Sequence, residues 1–183
     1  MHHQSRILGI AGSLRKASWN RRLLEAASKL TPPELTLDVY AHLQDVPLFN
    51  EDIEADPGPG VLALRSAVES ADGLLLATPE YNHALPAVMK NAIDWLSRGG
   101  LNRLHNKPVA ILGATVGAWG TRLAQAALRQ TLASTGAKIL VEPMLFVARA
   151  PSCFDERGEL HDAQVAESLT RLLRSYQVFV SGT

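Results

Sequence analysis

Apolar residues follow two patterns along this chain: short uninterrupted runs, and longer stretches with helical spacing. The uninterrupted runs lie at 6–11, 73–77 and 108–113. A run without polar alternation is typical of a strand that is covered on both faces of a sheet. After each run, apolar residues recur every three or four positions, which predicts a helix. The chain therefore predicts repeated strand–helix units.

Five such units can be traced. The predicted helices begin near Trp19, Val61, Leu85, Leu123 and Val165. Residues 35–40 alternate between apolar and polar, which indicates a half-exposed strand at a sheet edge. Residues 138–147 contain the last strand or strands, interrupted by Pro143. Strand–helix alternation at this pitch predicts a parallel sheet with helices on both faces. We therefore expect one flavodoxin-like α/β domain over 1–183, a three-layer sandwich whose five-stranded parallel sheet has the order 2-1-3-4-5.

Composition narrows the class of protein. The chain has 183 residues, enough for one good core, and 18 basic residues balance 18 acidic ones. No long-range field favours nucleic acid or an anionic membrane surface. Cys153 is the single cysteine, which fits a reducing compartment. No apolar run approaches the roughly 20 residues that span a bilayer, and the start of the chain lacks the shape of a signal peptide. These features predict a cytoplasmic protein.

The first chemically interesting loop is 12–20, which follows the first predicted strand. It offers backbone N–H groups, hydroxyls, an amide and two cations ahead of a helix. Such a helix start suits an anion, and a phosphate above all. The alternative is that Ser18 only caps the helix and that Arg15 and Lys16 are only solvated. Neither a P-loop motif nor a G-x-G-x-x-G motif is present.

The second loop, Thr78 to Pro86, follows the buried run at 73–77. Tyr81 can cover an aromatic ligand while Asn82 hydrogen-bonds its edge, or both can simply shape the turn. His83 has no Cys or Asp at ligand spacing, so we predict no metal site. Glu80 and His83 have no paired partner for acid–base work, so we predict no catalytic residue.

Two further segments leave alternatives open. In the loop at 115–120, Trp119 can stack on a ring or anchor the start of a helix in the core. Trp95 can belong to the core, which we favour, or to a subunit contact. The long connection at 41–59 can be a solvated surface loop, or a lid or oligomer contact anchored by Leu48 and Phe49.

Taken together, these residues resemble the NADPH-dependent FMN reductase family. The marks are G-S-L-R-x-x-S-x-N at 12–20 and P-E-Y-N-x-x-x-P-x-x-x-K-N-A-I-D-W at 79–95. The resemblance covers nearly the whole chain. It implies that the FMN phosphate is held by Ser13, Leu14, Arg15, Ser18 and Asn20. It also implies that the flavin ring is lined by Pro79, Glu80, Tyr81, Asn82 and His83 from the second loop, and by Thr115, Gly117 and Gly120 from the third.

The resemblance further implies an activity. The enzyme would pass electrons from NADPH or NADH through FMN to a quinone or a similar small acceptor, by a ping-pong mechanism in which the cofactor performs the hard step. It would form a homodimer or a homotetramer. The alternatives are a flavodoxin-like electron carrier and an FMN-binding scaffold. The neutral charge disfavours a carrier, because such proteins tend to be strongly acidic.

Overall fold

The sheet positions everything else in the molecule. A computed structural model of the protein describes residues 4–182. Its strands are β1 (Ser5–Ala11), β2 (Leu35–Val39), β3 (Gly73–Ala77), β4 (Pro108–Ala114), β5 (Lys138–Ile139) and β6 (Leu145–Val147). All pair in parallel, in the order β2-β1-β3-β4-β5, with β6 also on β4. The predicted strand order and the edge position of β2 are confirmed.

The fifth position of the sheet holds two short strands instead of one. β5 pairs with the beginning of β4, at Pro108 and Val109, and β6 pairs with its end, from Leu112 to Ala114. Between them lies Pro143, which follows a cis peptide bond. A proline lacks the N–H group that a sheet ladder needs, so it divides the strand. The sheet therefore has six strands in five positions.

Helices cover both faces of the sheet, as predicted for a three-layer sandwich. They are α1 (Trp19–Leu30), α2 (Pro59–Glu69), α3 (Ala87–Leu96), α4 (Arg122–Ser134) and α5 (Ala163–Ser181). One core lies under α1 and α5 and includes Leu24 and Leu172. The other lies under α2, α3 and α4 and includes Leu64 and Ile93.

α3 begins two residues later than the periodicity predicted. Leu85 was expected on its apolar face, but Pro86 is the N-cap residue, with φ −71° and ψ 148°. The residue before a proline is driven towards extended backbone, so Leu85 cannot join the helix. This keeps the second loop extended up to the first turn of α3.

The long connection is packed against the protein. Residues 43–56, here called the strap, include two short 3-10 helices at Leu43–Asp45 and Glu51–Ile53. Asn91 of α3 donates to the Pro47 carbonyl at 2.9 Å and accepts from the Phe49 N–H at 2.7 Å. Trp95 also donates to the Pro47 carbonyl, at 2.8 Å. Side chains of α3 therefore hold the backbone of the strap.

Trp95 belongs to the core, as we favoured. Its side chain is fully buried, and its ring meets that of Phe49 edge-on at 4.9 Å between centroids. Leu48, the other predicted anchor of a lid or subunit contact, is exposed, and that alternative stays a prediction. Within residues 4–182, no helix combines the length and the apolar character needed to cross a bilayer.

The topology decides where a site can form. β1, β3 and β4 are consecutive in the sheet, and parallel strands all end at the same edge. The loops after them, at 12–18, 78–86 and 115–121, therefore open onto one crevice, as open α/β sheets generally arrange their ligand sites.

Candidate functional site

Gly12 allows the first loop to approach the second. A Cβ at this position would lie 3.1 Å from the Met89 Cε atom and 3.1 Å from the Pro86 Cγ atom. It would also lie 3.3 Å from the Pro79 Cδ atom. Any side chain here would push the two loops apart, so the glycine sets their close spacing.

The start of α1 presents unused hydrogen-bond donors. Ser18 caps the helix, since its Oγ atom accepts from the Arg21 N–H at 3.3 Å. Among the described residues, no acceptor is bonded to the backbone N–H groups of residues 16–20. These groups and the positive end of the helix dipole face the same loop. This is the arrangement that binds anions at helix N-termini.

Two cations stand beside these donors. Arg15 and Lys16 are both exposed, and neither side chain has an ion pair or a hydrogen bond within residues 4–182. The Ser13 Oγ atom accepts from the Arg15 N–H at 3.4 Å, which begins the turn of the loop. The cations are therefore available to an anion without first breaking another contact.

Asn20 makes contacts within the protein in addition to the role that the resemblance implies. It is buried, and its amide donates to the Ala114 carbonyl and accepts from the Ala114 N–H, both at 2.9 Å. This reciprocal pair ties the start of α1 to the end of β4. Because the amide oxygen and one N–H are used in this way, Asn20 chiefly sets the spacing between the first and third loops.

The second loop contains a tight two-residue turn. Tyr81 and Ala84 exchange backbone hydrogen bonds of 3.2 and 3.0 Å. Between them, Asn82 and His83 have φ values of 50° and 61°. Both central residues of a type I′ turn must be left-handed, a conformation in which asparagine and histidine are enriched among residues other than glycine. The turn holds Tyr81 half in solvent, with its hydroxyl 3.3 Å from that of Ser13.

Glu80 joins the second loop to α4. Its Oε2 atom accepts from the N–H groups of Leu123 at 2.8 Å and Ala124 at 3.0 Å. The carboxylate thus satisfies the first turn of α4 and complements its dipole. Its Oε1 atom lies 3.7 Å from the Nδ1 atom of His83, which is exposed. The side chain of Glu80 therefore caps α4, a role that leaves its backbone available to a ligand.

The third loop is shaped by backbone contacts with the chain after β6. The Thr115 N–H donates to the Val147 carbonyl at 3.0 Å, and the Thr115 carbonyl accepts from the Ala150 N–H at 2.9 Å. Gly120 has a φ of 77°, which favours glycine. Trp119 is 68 % exposed, so it is no core anchor, and the stacking alternative stays open.

The three loops enclose a cleft of about 150 Å³. Of the predicted site residues, it gathers Ser13, Arg15, Ser18 and Asn20 from the first loop and α1, Pro79, Glu80 and Tyr81 from the second, and Thr115 from the third. The other predicted residues, Leu14, Asn82, His83, Gly117 and Gly120, do not line this cleft. Leu14 lies on the other side of the first loop.

Sequence reasoning missed Trp19. This residue lines the cleft, its ring packs on Phe154 at 5.6 Å, and the guanidinium of Arg22 lies 4.7 Å from the ring centroid. Trp19 stands between Ser18 and Asn20 in the quoted motif, which was a usable signal. It was passed over because it coincides with the first residue of a helix.

Comparisons with known proteins identify the family. A family model described as NADPH-dependent FMN reductase matches residues 5–152. An NAD(P)H-dependent FMN reductase from Pseudomonas aeruginosa is 40 % identical over 181 residues, covering 98 % of this chain and 97 % of the relative. A quinone reductase from Escherichia coli is 32 % identical over 183 residues, with 98 % and 97 % coverage.

A solved structure is also similar over nearly the whole length. It is FerB, a flavoenzyme NAD(P)H:(acceptor) oxidoreductase from Paracoccus denitrificans, with a TM-score of 0.89 and 32 % identity. The match covers 97 % of this chain and 98 % of that one. The likeness therefore includes the sheet edge at which the cleft opens.

Proposed function

The chain belongs to the NADPH-dependent FMN reductase family, and from this membership we propose that it passes electrons from NADPH or NADH to a quinone or a similar small acceptor by a ping-pong mechanism. The observation that carries the proposal is the cleft. It is lined by Ser13, Ser18 and Arg15, whose side chain has no partner within residues 4–182, and by the half-exposed Tyr81.

The residues present fit FMN. Its phosphate would be held by Ser13, Arg15 and Ser18 together with the N–H groups at the start of α1, Leu14 adding its own N–H. Several small donors around one cation match the several oxygens of a phosphate. Asn20 would add its remaining N–H donors, besides fixing the loop that carries the third wall.

The flavin ring would lie along the second loop. The backbone of Pro79, Glu80 and Asn82 offers polar groups to a ring edge, and Tyr81 offers an aromatic face. We place Thr115, Gly117 and Gly120 along the opposite border, and His83 at the entrance, where its exposed ring faces approaching molecules. The prolines at 79 and 86 keep this loop stiff.

The chain's own residues bind and orient, while FMN supplies hydride and electron transfer when bound. We predict no protein nucleophile for either half of the reaction. The cleft is bordered on one side by solvent-facing side chains, so donor and acceptor would use the same open face in turn. That shared face is the reason for expecting ping-pong kinetics.

The same proposal includes the domain organisation, the location and the oligomeric state of the protein. Both cores pack on one sheet, which supports a single FMN-binding domain over 1–183. The solitary cysteine, which is buried, supports a cytoplasmic location. Exposed apolar side chains beside the cleft, those of Leu14 and Trp119, support a homodimer or a homotetramer.

A spectroscopic experiment tests the proposal. The purified protein is mixed with FMN and desalted, its visible spectrum is recorded, and NADPH and then a quinone are added without oxygen. We expect a retained flavin spectrum that NADPH bleaches and the quinone restores, and parallel initial-rate plots in the steady state. A retained flavin that neither NADPH nor NADH bleaches would favour the carrier or scaffold instead, and intersecting plots would exclude ping-pong kinetics.

A further inference from the structure

A second cleft lies on the other side of the first loop. It has a volume of about 290 Å³ and is bounded by that loop, by α1, and by the chain that leaves the edge strand β2. Ser13 and Arg15 line both clefts, whereas Lys16, Arg21, Tyr40 and Gln44 line only the second. The two clefts are thus neighbours that share one wall.

The charge of the second cleft is one-sided. Arg15, Lys16 and Arg21 line it, and no aspartate or glutamate of the described chain does. Arg21 pairs with Glu25 at 3.1 Å, but both groups are about half exposed, and such an i,i+4 pair holds a side chain only weakly. Lys16 has no partner within residues 4–182. A group that enters this cleft is therefore expected to be an anion.

Tyr40 supplies an independent observation. Its Oη atom is buried and has no hydrogen-bond partner among the described residues. Burial, and then the charge of Asp45, raise the pKa of the phenol, so it stays protonated at neutral pH and can donate. A buried hydroxyl without a partner is costly, and Tyr40 is one of the residues that line this cleft.

We propose that this second cleft binds the 2′-phosphate of NADPH, with Lys16 as the residue that selects NADPH over NADH. The inference rests on the proposed function, which supplies the dinucleotide and assigns the phosphate of FMN to the first cleft. The nicotinamide and the 2′-phosphate lie at opposite ends of NADPH. The nicotinamide would lie near Tyr81, and the 2′-phosphate would enter the second cleft across the first loop, which borders both clefts. The 2′-phosphate is the group that distinguishes NADPH from NADH. It is negatively charged, whereas the charged residues that line this cleft are all positive.

Lys16 is the discriminating residue because it lines only the second cleft. Arg15 borders both, so its removal would weaken FMN and NADPH together. A lysine ammonium binds phosphate as a point charge. Lys16 is exposed and lies in a turn, so its truncation leaves the core untouched.

Calorimetry on the FMN-loaded protein tests the site without turnover. The probes are 2′,5′-ADP and 5′-AMP, which differ by the 2′-phosphate. We expect 2′,5′-ADP to bind more tightly, and Lys16→Ala to weaken it by about 10- to 100-fold, the scale of one charge-assisted hydrogen bond. The affinity for 5′-AMP and for FMN should stay the same. Lys138→Ala, which removes another exposed and unpaired lysine, is the matched control and should change nothing.

Rapid reduction kinetics separate this inference from the proposed function. If NADPH and NADH both bleach the flavin and Lys16→Ala lowers the apparent affinity for NADPH alone, both hold. If both nucleotides bleach it and the variant affects them equally or not at all, the second cleft is not a 2′-phosphate site, although the enzyme activity stands. Equal binding of the two calorimetric probes would overturn the inference too, as would a loss of FMN affinity in Lys16→Ala. If neither nucleotide bleaches the flavin, the proposed function fails first.

Discussion

The first loop and helix α3 both carry polar motifs, yet they use them in opposite ways. In the loop, Arg15 and Lys16 have no partner in the described chain, and the N–H groups at the start of α1 are unused. In α3, Asn91 and Trp95 spend their polar groups on the backbone of the strap.

The difference shows which polar groups await a ligand. A polar group that the fold has already satisfied has little left to offer, whereas an exposed group without a partner can bind at no cost in existing bonds. The K-N-A-I-D part of the second motif therefore supports the architecture. Even its ion pair, Lys90 to Asp94 at 2.6 Å, is largely exposed and contributes little to stability.

The largest effect is expected for a substitution in α3. Trp95→Ala should lower the free energy of unfolding by about 3–5 kcal/mol, because it removes a fully buried ring and leaves a cavity. Urea unfolding measures the change. Trp119→Ala is the control, since that ring is 68 % exposed and should matter little to stability. Equal losses in the two variants would contradict the assignment of Trp95 to the core.

The next effect belongs to the loop. Arg15→Ala should weaken FMN binding by about 10- to 100-fold through the loss of a charge-assisted bond, and should leave the stability of the apoprotein unchanged within about 0.5 kcal/mol. Fluorescence titration with FMN and urea unfolding give the two numbers. Arg157→Ala, a change at another exposed arginine, should alter neither. Unchanged FMN affinity in Arg15→Ala would refute the phosphate assignment.

Glu80 lies in a site loop, yet its side chain is bonded to backbone groups of the protein, as are those of Asn91 and Trp95 in α3. Glu80→Ala should cost about 1 kcal/mol of stability, the usual effect of losing a helix cap, since two N–H groups of α4 lose their acceptor. Thermal or urea unfolding of the apoprotein checks this, with Glu156→Ala as the exposed counterpart. A variant that keeps full stability but loses FMN would instead make the carboxylate a ligand group.

The smallest stability effect is expected at Tyr81. Its ring is half exposed, so Tyr81→Ala should change the free energy of unfolding by less than about 0.5 kcal/mol. The visible spectrum of bound FMN, or the rate at which NADPH bleaches it, should change instead. Tyr81→Phe keeps the aromatic face and serves as the comparison. A large loss of stability with normal reduction kinetics would mean that the ring only packs the turn.

Much of the fold could be predicted from the sequence, because burial on both faces leaves a plain record. The apolar runs that form β1, β3 and β4 have few polar residues, since helices cover the sheet on each side. The strand order came from the flavodoxin-like arrangement, which places the alternating strand β2 at an edge. The division of the fifth position was less visible, because two- and three-residue strands are too short to show a period.

The sheet edge at which the three loops meet was predicted, but the contacts of the individual side chains were not. The order of the strands brought three loops to one edge, and the motifs supplied the candidates. Which polar groups are free is a property of distance. Asn20 and Glu80 looked like ligand residues, yet their partners, Ala114 and the start of α4, lie more than forty residues away in the chain.

Periodicity and loop chemistry are local, so the layers and the candidate loops could be predicted from the sequence, and the flavodoxin-like arrangement then supplied the order of the strands. The contacts of the side chains became visible only after packing: Asn20, Glu80 and Asn91 bind distant backbone groups, whereas the side chains of Arg15 and Lys16 have no partner within residues 4–182. The physical reason is that hydrogen bonds act over about 3 Å, and residues distant in the chain come that close only after the sheet and its helices have packed.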